Sequence, residues 1–163
     1  MFWAAFNARH GTSLVPLMGD LESARGGVTG RVIRDCLEEN LPTICEPGSI
    51  FAQDNASTHT ARIVQDWIQP WAAENGVELV NWPAYSPDLN PIENLWKLLK
   101  QEICERYPEL GDMPKSQAAM DRLVRAAVEV WEDFKEELFL SLVDSMVRRC
   151  EAVIDSNGWY TKY

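Results

Sequence analysis

The chain has 163 residues, 46% of them hydrophobic, with seven tryptophans and a formal net charge of −10 at pH 7. That length fits one domain with a real core, and the apolar fraction excludes a disordered chain. The acidic balance excludes a protein that grips nucleic acid through its own positive field, because neutralising phosphates dominates such affinity. Any DNA binding by this chain alone is expected to be weak, with divalent cations or a basic partner offsetting the repulsion. No apolar run reaches membrane-spanning length, and the first residues lack the charged start and cleavage site of a secretory leader. A soluble, intracellular protein that is not secreted is the expectation. Cys36, Cys45, Cys104 and Cys150 are scattered, with no Cys-x-x-Cys pair and no His to complete a zinc site, so reduced and mostly buried thiols are expected.

In chain order, residues 1–6 and Ser13–Met18 are apolar runs around the polar, Gly-containing Asn7–Thr12, which predicts a β-hairpin. Pro16 keeps the second strand at an edge. Gly26 and Gly27 precede a helix from about Val28 to Asn40, with Val32, Ile33, Cys36 and Leu37 on one face. Pro42 and Pro47-Gly48 mark a loop before a short apolar strand, 49–54, that ends in Asp54. The next helix has Ser57 or Thr58 as its cap and apolar residues at Ile63, Val64, Trp67, Ile68 and Trp71. Pro70 should kink or restart it and Gly76 should end it. Val77–Trp82 reads as a strand.

Trp82-Pro-Ala-Tyr-Ser-Pro-Asp-Leu-Asn-Pro-Ile-Glu-Asn-Leu-Trp96 is the most informative stretch. Pro83, Pro87 and Pro91 each fix their own φ and bias the preceding residue towards extended backbone, which predicts a stiff, irregular connector. It ends in a helix start, with Asn90 at the N-cap, Pro91 at the first position and Glu93 at the third. One carboxylate at a strand tip (Asp54) and another on a helix's first turn (Glu93) suit a shared divalent cation, the arrangement used in phosphodiester chemistry. A capping box with Asn90 is the structural alternative for Glu93, and both roles stay open. For Asp54 the alternative is a strand-ending acid that bonds loop amides.

The helix from Pro91 buries Ile92, Leu95, Trp96, Leu99 and Ile103 and stops near Tyr107-Pro108. From Pro114 to about Asp155 the pattern is purely helical. Met120, Leu123, Val124, Ala127, Val130, Trp131 and Phe134 form one stripe; Leu138, Leu142, Val143, Met146, Val147, Cys150 and Val153 form another. With no Gly or Pro inside, a break near Glu136–Phe139 is the expectation. Trp67, Trp71 and Trp96 have aliphatic neighbours at helical spacing and read as core residues rather than base-stacking platforms. The order of elements is that of an α/β domain with a helical C-terminal extension.

Gln53-Asp-Asn-Ala-Ser-Thr-His59 and the 82–96 motif together resemble the catalytic-domain signatures of mariner-like transposases, DDE superfamily endonucleases with an RNase H-like fold. Leu14-Val-Pro-Leu-Met-Gly-Asp20 and the terminal Gly158-Trp-Tyr-Thr-Lys-Tyr163 are similar to a branch from filamentous fungi. The resemblance implies an RNase H-like mixed sheet flanked by helices, with a partial endonuclease core over 1–110 and a helical extension of the same domain over 111–163. It implies metal-dependent DNA strand cleavage and transfer in the nucleus. In that family three acids hold two Mg2+ or Mn2+ ions, which activate water or a DNA 3′-hydroxyl for in-line attack on phosphorus. Asp54 matches the second acid and Glu93 the third, as metal ligands rather than acid–base groups.

The family's first acid lies on the first, central strand, before the residues that match Met1–Phe6. Asp20 follows the hairpin and is not a match for it. The expectation is therefore an N-terminally truncated core that lacks the first central strand and is catalytically impaired. Strands 1–6 and 49–53 would then carry unpaired backbone groups. DNA, a full-length transposase, or another copy meeting exposed strand edges are the implied partners. A non-enzymatic, transposase-derived interaction module is the alternative. Asn55, His59 and Asp88 are candidate site-supporting residues; His59 also fits a surface position and Asp88 a loop cap. Arg148 and Arg149 fit either DNA-backbone contact or complementation of a helix C-terminus.

Overall fold

Four short strands and five α-helices occur among residues 1–24, 26–159 and 161–163, the residues described by the computed structural model. The architecture is mixed α/β, as the sequence predicts. The chain forms two units: Met1–Ala5 with Val15–Asn90, and Phe6–Leu14 with Pro91–Tyr163.

In the first unit, β1 (Phe2–Trp3) pairs antiparallel with β2 (Val15–Pro16), Phe2 opposite Pro16 and Trp3 opposite Val15. After α1 (Gly30–Asn40) come β3 (Ile50–Phe51), α2 (Arg62–Asn75) and β4 (Glu78–Leu79). β3 and β4 are parallel, so α2 is the crossover that parallel strands require. The strands make two separate two-stranded sheets, and the other edges of β1 and β3 meet no strand among the described residues. Trp3, Leu17, Ile33, Leu37, Leu41, Val64 and Ile68 form the buried core beneath them.

Local chemistry sets the helix ends here. Gly76 has φ +64°, the left-handed conformation that closes α2, and its N–H bonds to Ala72 O. At Gly30 a Cβ would lie 2.5 Å from Ala61 Cβ, so only glycine lets α1 approach the start of α2. Neither Ser57 nor Thr58 caps α2, which starts after Ala61 without a side-chain cap. Asp54 takes the Ala56 N–H, while His59 and Thr60 N–H groups bond back to Ala56 O, so residues 54–60 form their own turn before the helix begins. Pro70 lies inside α2 without ending it, because Val64, Ile68 and Ala72 are all buried along the helix.

Asp20 is committed to contacts with its own loop and the start of α1. Its Oδ2 accepts from Thr29 Oγ1 at 2.7 Å, its Oδ1 accepts from Glu22 N–H at 2.9 Å, and Arg31 pairs with it at 3.6 Å. The Thr29 hydroxyl, then the Glu22 amide, hold its carboxyl below the usual carboxylate range. A lowered folded value means stabilisation that is present above the unfolded-chain value of about pH 4 and is lost as pH falls through the lower folded value. Asp20→Asn is expected to be less stable than the native chain at neutral pH. In acid titration followed by circular dichroism, the gap should close below about pH 4; a gap constant down to strong acid would contradict this role.

The second unit begins with the 6–14 segment, closed by an antiparallel bridge between Phe6 and Gly11. It continues with α3 (Ile92–Arg106), α4 (Gln117–Glu132) and α5 (Glu136–Asp155). Ser116 caps α4 by accepting from Ala119 N–H. Trp131 on α4 is buried, donates from Nε1 to Thr12 O at 2.8 Å, and stacks on Trp96 with ring centroids 5.4 Å apart. The break between α4 and α5 falls at residues 133–135, slightly earlier than the predicted 136–139. Phe134 turns back onto Trp131, and Glu136 and Glu137 then occupy the new first turn, where the helix dipole favours acids.

The buried face of α5 also differs from the predicted stripe. Phe139, Leu142, Ser145 and Arg149 face inward, while Val143, Val147 and Cys150 are exposed. The expectation of mostly buried thiols is likewise corrected. All four cysteines are free; Cys36 is buried and Cys45 half-buried, but Cys104 and Cys150 are exposed. Burial, helped by the nearby Glu39 charge, pushes the Cys36 thiol up to about 12.

Candidate active site

The C-terminal end of β3 delivers Gln53, Asp54 and Asn55 to the rim of a cleft of about 320 Å3 in the first unit. Asp54 sits in a fixed turn. Its Oδ1 accepts from Ala56 N–H at 3.0 Å and meets His59 Nδ1 at 2.7 Å. His59 is itself held, since Gln65 Nε2 donates to its carbonyl at 2.9 Å. Asn55 Nδ2 donates to Trp82 O at 2.8 Å, tying the loop after β3 to the loop after β4. These bonds occupy one oxygen of the Asp54 carboxylate. The other takes no hydrogen bond among the described residues, and the side chain is 44% exposed.

Three groups here carry roles that the sequence did not assign. Gln53 Oε1 is buried without a hydrogen-bond partner among the described residues, so an acceptor lines the cleft next to Asp54. Gln65 fixes His59, and Trp82 supplies the carbonyl for Asn55. Gln53 lies inside the quoted Gln-Asp-Asn motif, so a signal existed; the role of Gln65 depends on how α2 folds back and had none.

The Pro-rich connector is irregular, as predicted. A single 3₁₀ turn, Pro87–Leu89, carries Asp88, and Tyr85 adopts φ +56° with its ring fully exposed. A non-glycine residue in the left-handed region marks stored strain, here between two prolines that restrict their neighbours.

Glu93 lies in the first turn of α3, in the second unit, exposed to solvent. The capping box does not form: Pro91 occupies the N-cap and no side chain caps this end. The Glu93 carboxylate therefore makes no hydrogen bond among the described residues. Its neighbour Asn94 is anchored from behind, because Arg149 Nη2 donates to Asn94 Oδ1 at 2.6 Å. Arg149 is 2% exposed, donates through Nε to Ser145 Oγ at 2.8 Å, and lies 4.8 Å from the Tyr163 ring centroid. Of the arginine pair, only Arg148 presents its charge to solvent.

Hard divalent cations favour carboxylate oxygens, and both matched acids keep such oxygens uncommitted. The donor types present thus fit Mg2+ or Mn2+. No cluster of three or more His, Cys, Asp or Glu side chains able to hold a metal occurs among the described residues. No helix among them is long and apolar enough to cross a membrane.

Residues 22–113 match the DDE superfamily endonuclease family, and the chain belongs to that family. It is 40% identical over 116 residues to the Tc1 transposase of Caenorhabditis elegans, covering 71% of this chain and 38% of that protein. It is 31% identical to the Tcb2 transposase of Caenorhabditis briggsae, covering 100% of this chain and 54% of that protein. The chain thus spans about half, or less, of the curated relatives it matches. In fold it is similar to the Mos1 transposase catalytic domain solved with raltegravir and Mn, at a TM-score of 0.62 and 20% identity, covering 99% of this chain and 82% of that one. A Mos1 mariner paired-end complex with Mn gives a TM-score of 0.61 at 22% identity, covering 84% and 39%. The α/β fold is therefore of the RNase H-like type seen in that catalytic domain.

Proposed function

We propose that the chain is the catalytic core of a DNA transposase, in which Asp54 and Glu93 hold Mg2+ or Mn2+ for DNA strand cleavage and joining. The observation that carries this is the pair of motif-matched carboxylates with uncommitted oxygens, Asp54 at the tip of β3 and Glu93 on the first turn of α3. When bound, the metal supplies charge stabilisation at phosphorus and a more acidic attacking hydroxyl.

The chain's own residues set the stage for it. The Ala56 amide and His59 ring fix the rotamer of Asp54, leaving one oxygen outward. Arg149 pins Asn94 and so steadies the turn that presents Glu93. The exposure of Arg148 supports a contact with the DNA backbone. The net charge of −10 makes bound divalent cations part of DNA engagement, since the chain repels phosphate without them. Membership of this family supports a nuclear location.

Two matched acids are one fewer than the family's set, so these 163 residues should show little or no strand transfer. A Mg2+- or Mn2+-dependent nicking assay on supercoiled plasmid tests this. Weak or absent cleavage is the expected result; robust cleavage that disappears in Asp54→Ala would show that the site is complete.

A further inference from the structure

The apolar pattern of α5 is wider than its unit uses. Leu140, Val143, Val147, Cys150 and Ile154 follow one another in steps of three, four, three and four residues, the spacing of a coiled-coil seam. All are exposed: Leu140 by 44%, Val143 by 36%, Val147 by 68% and Ile154 by 74%. The interior side of the helix meanwhile accepts Ser145 and Arg149. A helix that spends polar residues inward and keeps a heptad strip outward is patterned for a second contact.

Charge says what that contact is. Glu137, Asp144 and Glu151 recur every seven residues along one flank of the strip, all exposed. Across the strip lie Phe139, Met146 and Val153, which carry no charge. In an antiparallel pair of copies the acidic row would face itself. In a parallel pair it would face the uncharged row and gain no ion pair. Flanking charges select coiled-coil partners, so this surface disfavours its own copy and favours cations.

We propose that the α5 strip is the docking surface for a basic amphipathic helix of a partner protein, its apolar seam on Val143, Val147 and Ile154 and its Lys or Arg side chains along the acidic row. This stands apart from the metal chemistry and survives its failure.

The full chain can be titrated by calorimetry with a synthetic helix of about three heptads, leucine in the seam and lysine on the flanks, beside a twin with glutamate flanks. The lysine peptide is expected to bind at least about tenfold more tightly than its twin. Val147→Ser with Ile154→Ser should weaken it by about tenfold or more, and Asp144→Asn with Glu151→Gln should flatten its salt dependence. All four residues are exposed, so unchanged circular-dichroism melts will separate lost binding from lost folding. No binding, equal binding of both peptides, or indifference to the serine pair would overturn the proposal. So would a concentration-dependent dimer of the chain alone that Val147→Ser abolishes, which would give the strip to a second copy.

Discussion

Trp131→Ala is expected to destabilise the second unit by about 3–5 kcal/mol, a large share of the stability that a domain of this size has. The side chain is 3% exposed and sits where three aromatic contacts meet: Trp96 at 5.4 Å, Phe134 at 5.5 Å and Phe139 at 6.3 Å between ring centroids. Its indole N–H also holds the buried Thr12 carbonyl, linking the 6–14 segment to the helices. Truncation therefore removes packing, opens a cavity and takes a donor from a buried acceptor. Trp131→Phe keeps much of the packing and loses the hydrogen bond, for a smaller cost of about 1–3 kcal/mol. Urea denaturation followed by circular dichroism should rank the alanine variant well below the phenylalanine variant. Equal losses would mean that the ring stack contributes little.

The contrast between α1 and α5 shows what the sequence could and could not reveal. On α1 the spacing of Ile33, Cys36 and Leu37 named the buried face correctly, because one apolar stripe met one core. On α5 the apolar arc is wide enough to offer two faces, and periodicity alone cannot say which one the unit takes. Tertiary partners decide it: Arg149 turns inward because Asn94 and Ser145 are there to receive its donors. The α4–α5 break was equally hard to place, since no Gly or Pro marks it and only the packing of Phe134 on Trp131 fixes the turn.

The site was legible to different depths. Pro91 announced the α3 start and Gly76 the α2 stop, both through backbone restrictions that travel with the residue itself. Asp54 and Glu93 emerged from motif context. What stayed hidden was the support: His59 gripping Asp54, Gln65 gripping His59, and the lone acceptor on Gln53. Those contacts depend on where α2 begins, and the expected Ser57 or Thr58 cap fails because the His59 and Thr60 N–H groups bond to Ala56 O instead. Strand length was over-read for a related reason. Each strand has one neighbour among the described residues, so the apolar runs at 1–6 and 49–54 pair over only two residues each.

The second large effect concerns metal. Asp54→Asn halves the negative charge that the two matched acids offer and replaces a hard anionic oxygen with a neutral amide, so Mn2+ affinity should fall by about tenfold or more. Manganese is paramagnetic, so amide resonances near a bound ion broaden on titration. With the native chain, the signals of Asp54–Asn55 and of Glu93–Asn94 should both broaden as Mn2+ is added, and Asp54→Asn should protect the first set. Broadening at neither carboxylate, or at Asp54–Asn55 undiminished by the Asp54 substitution, would mean that the matched acids are not the metal ligands.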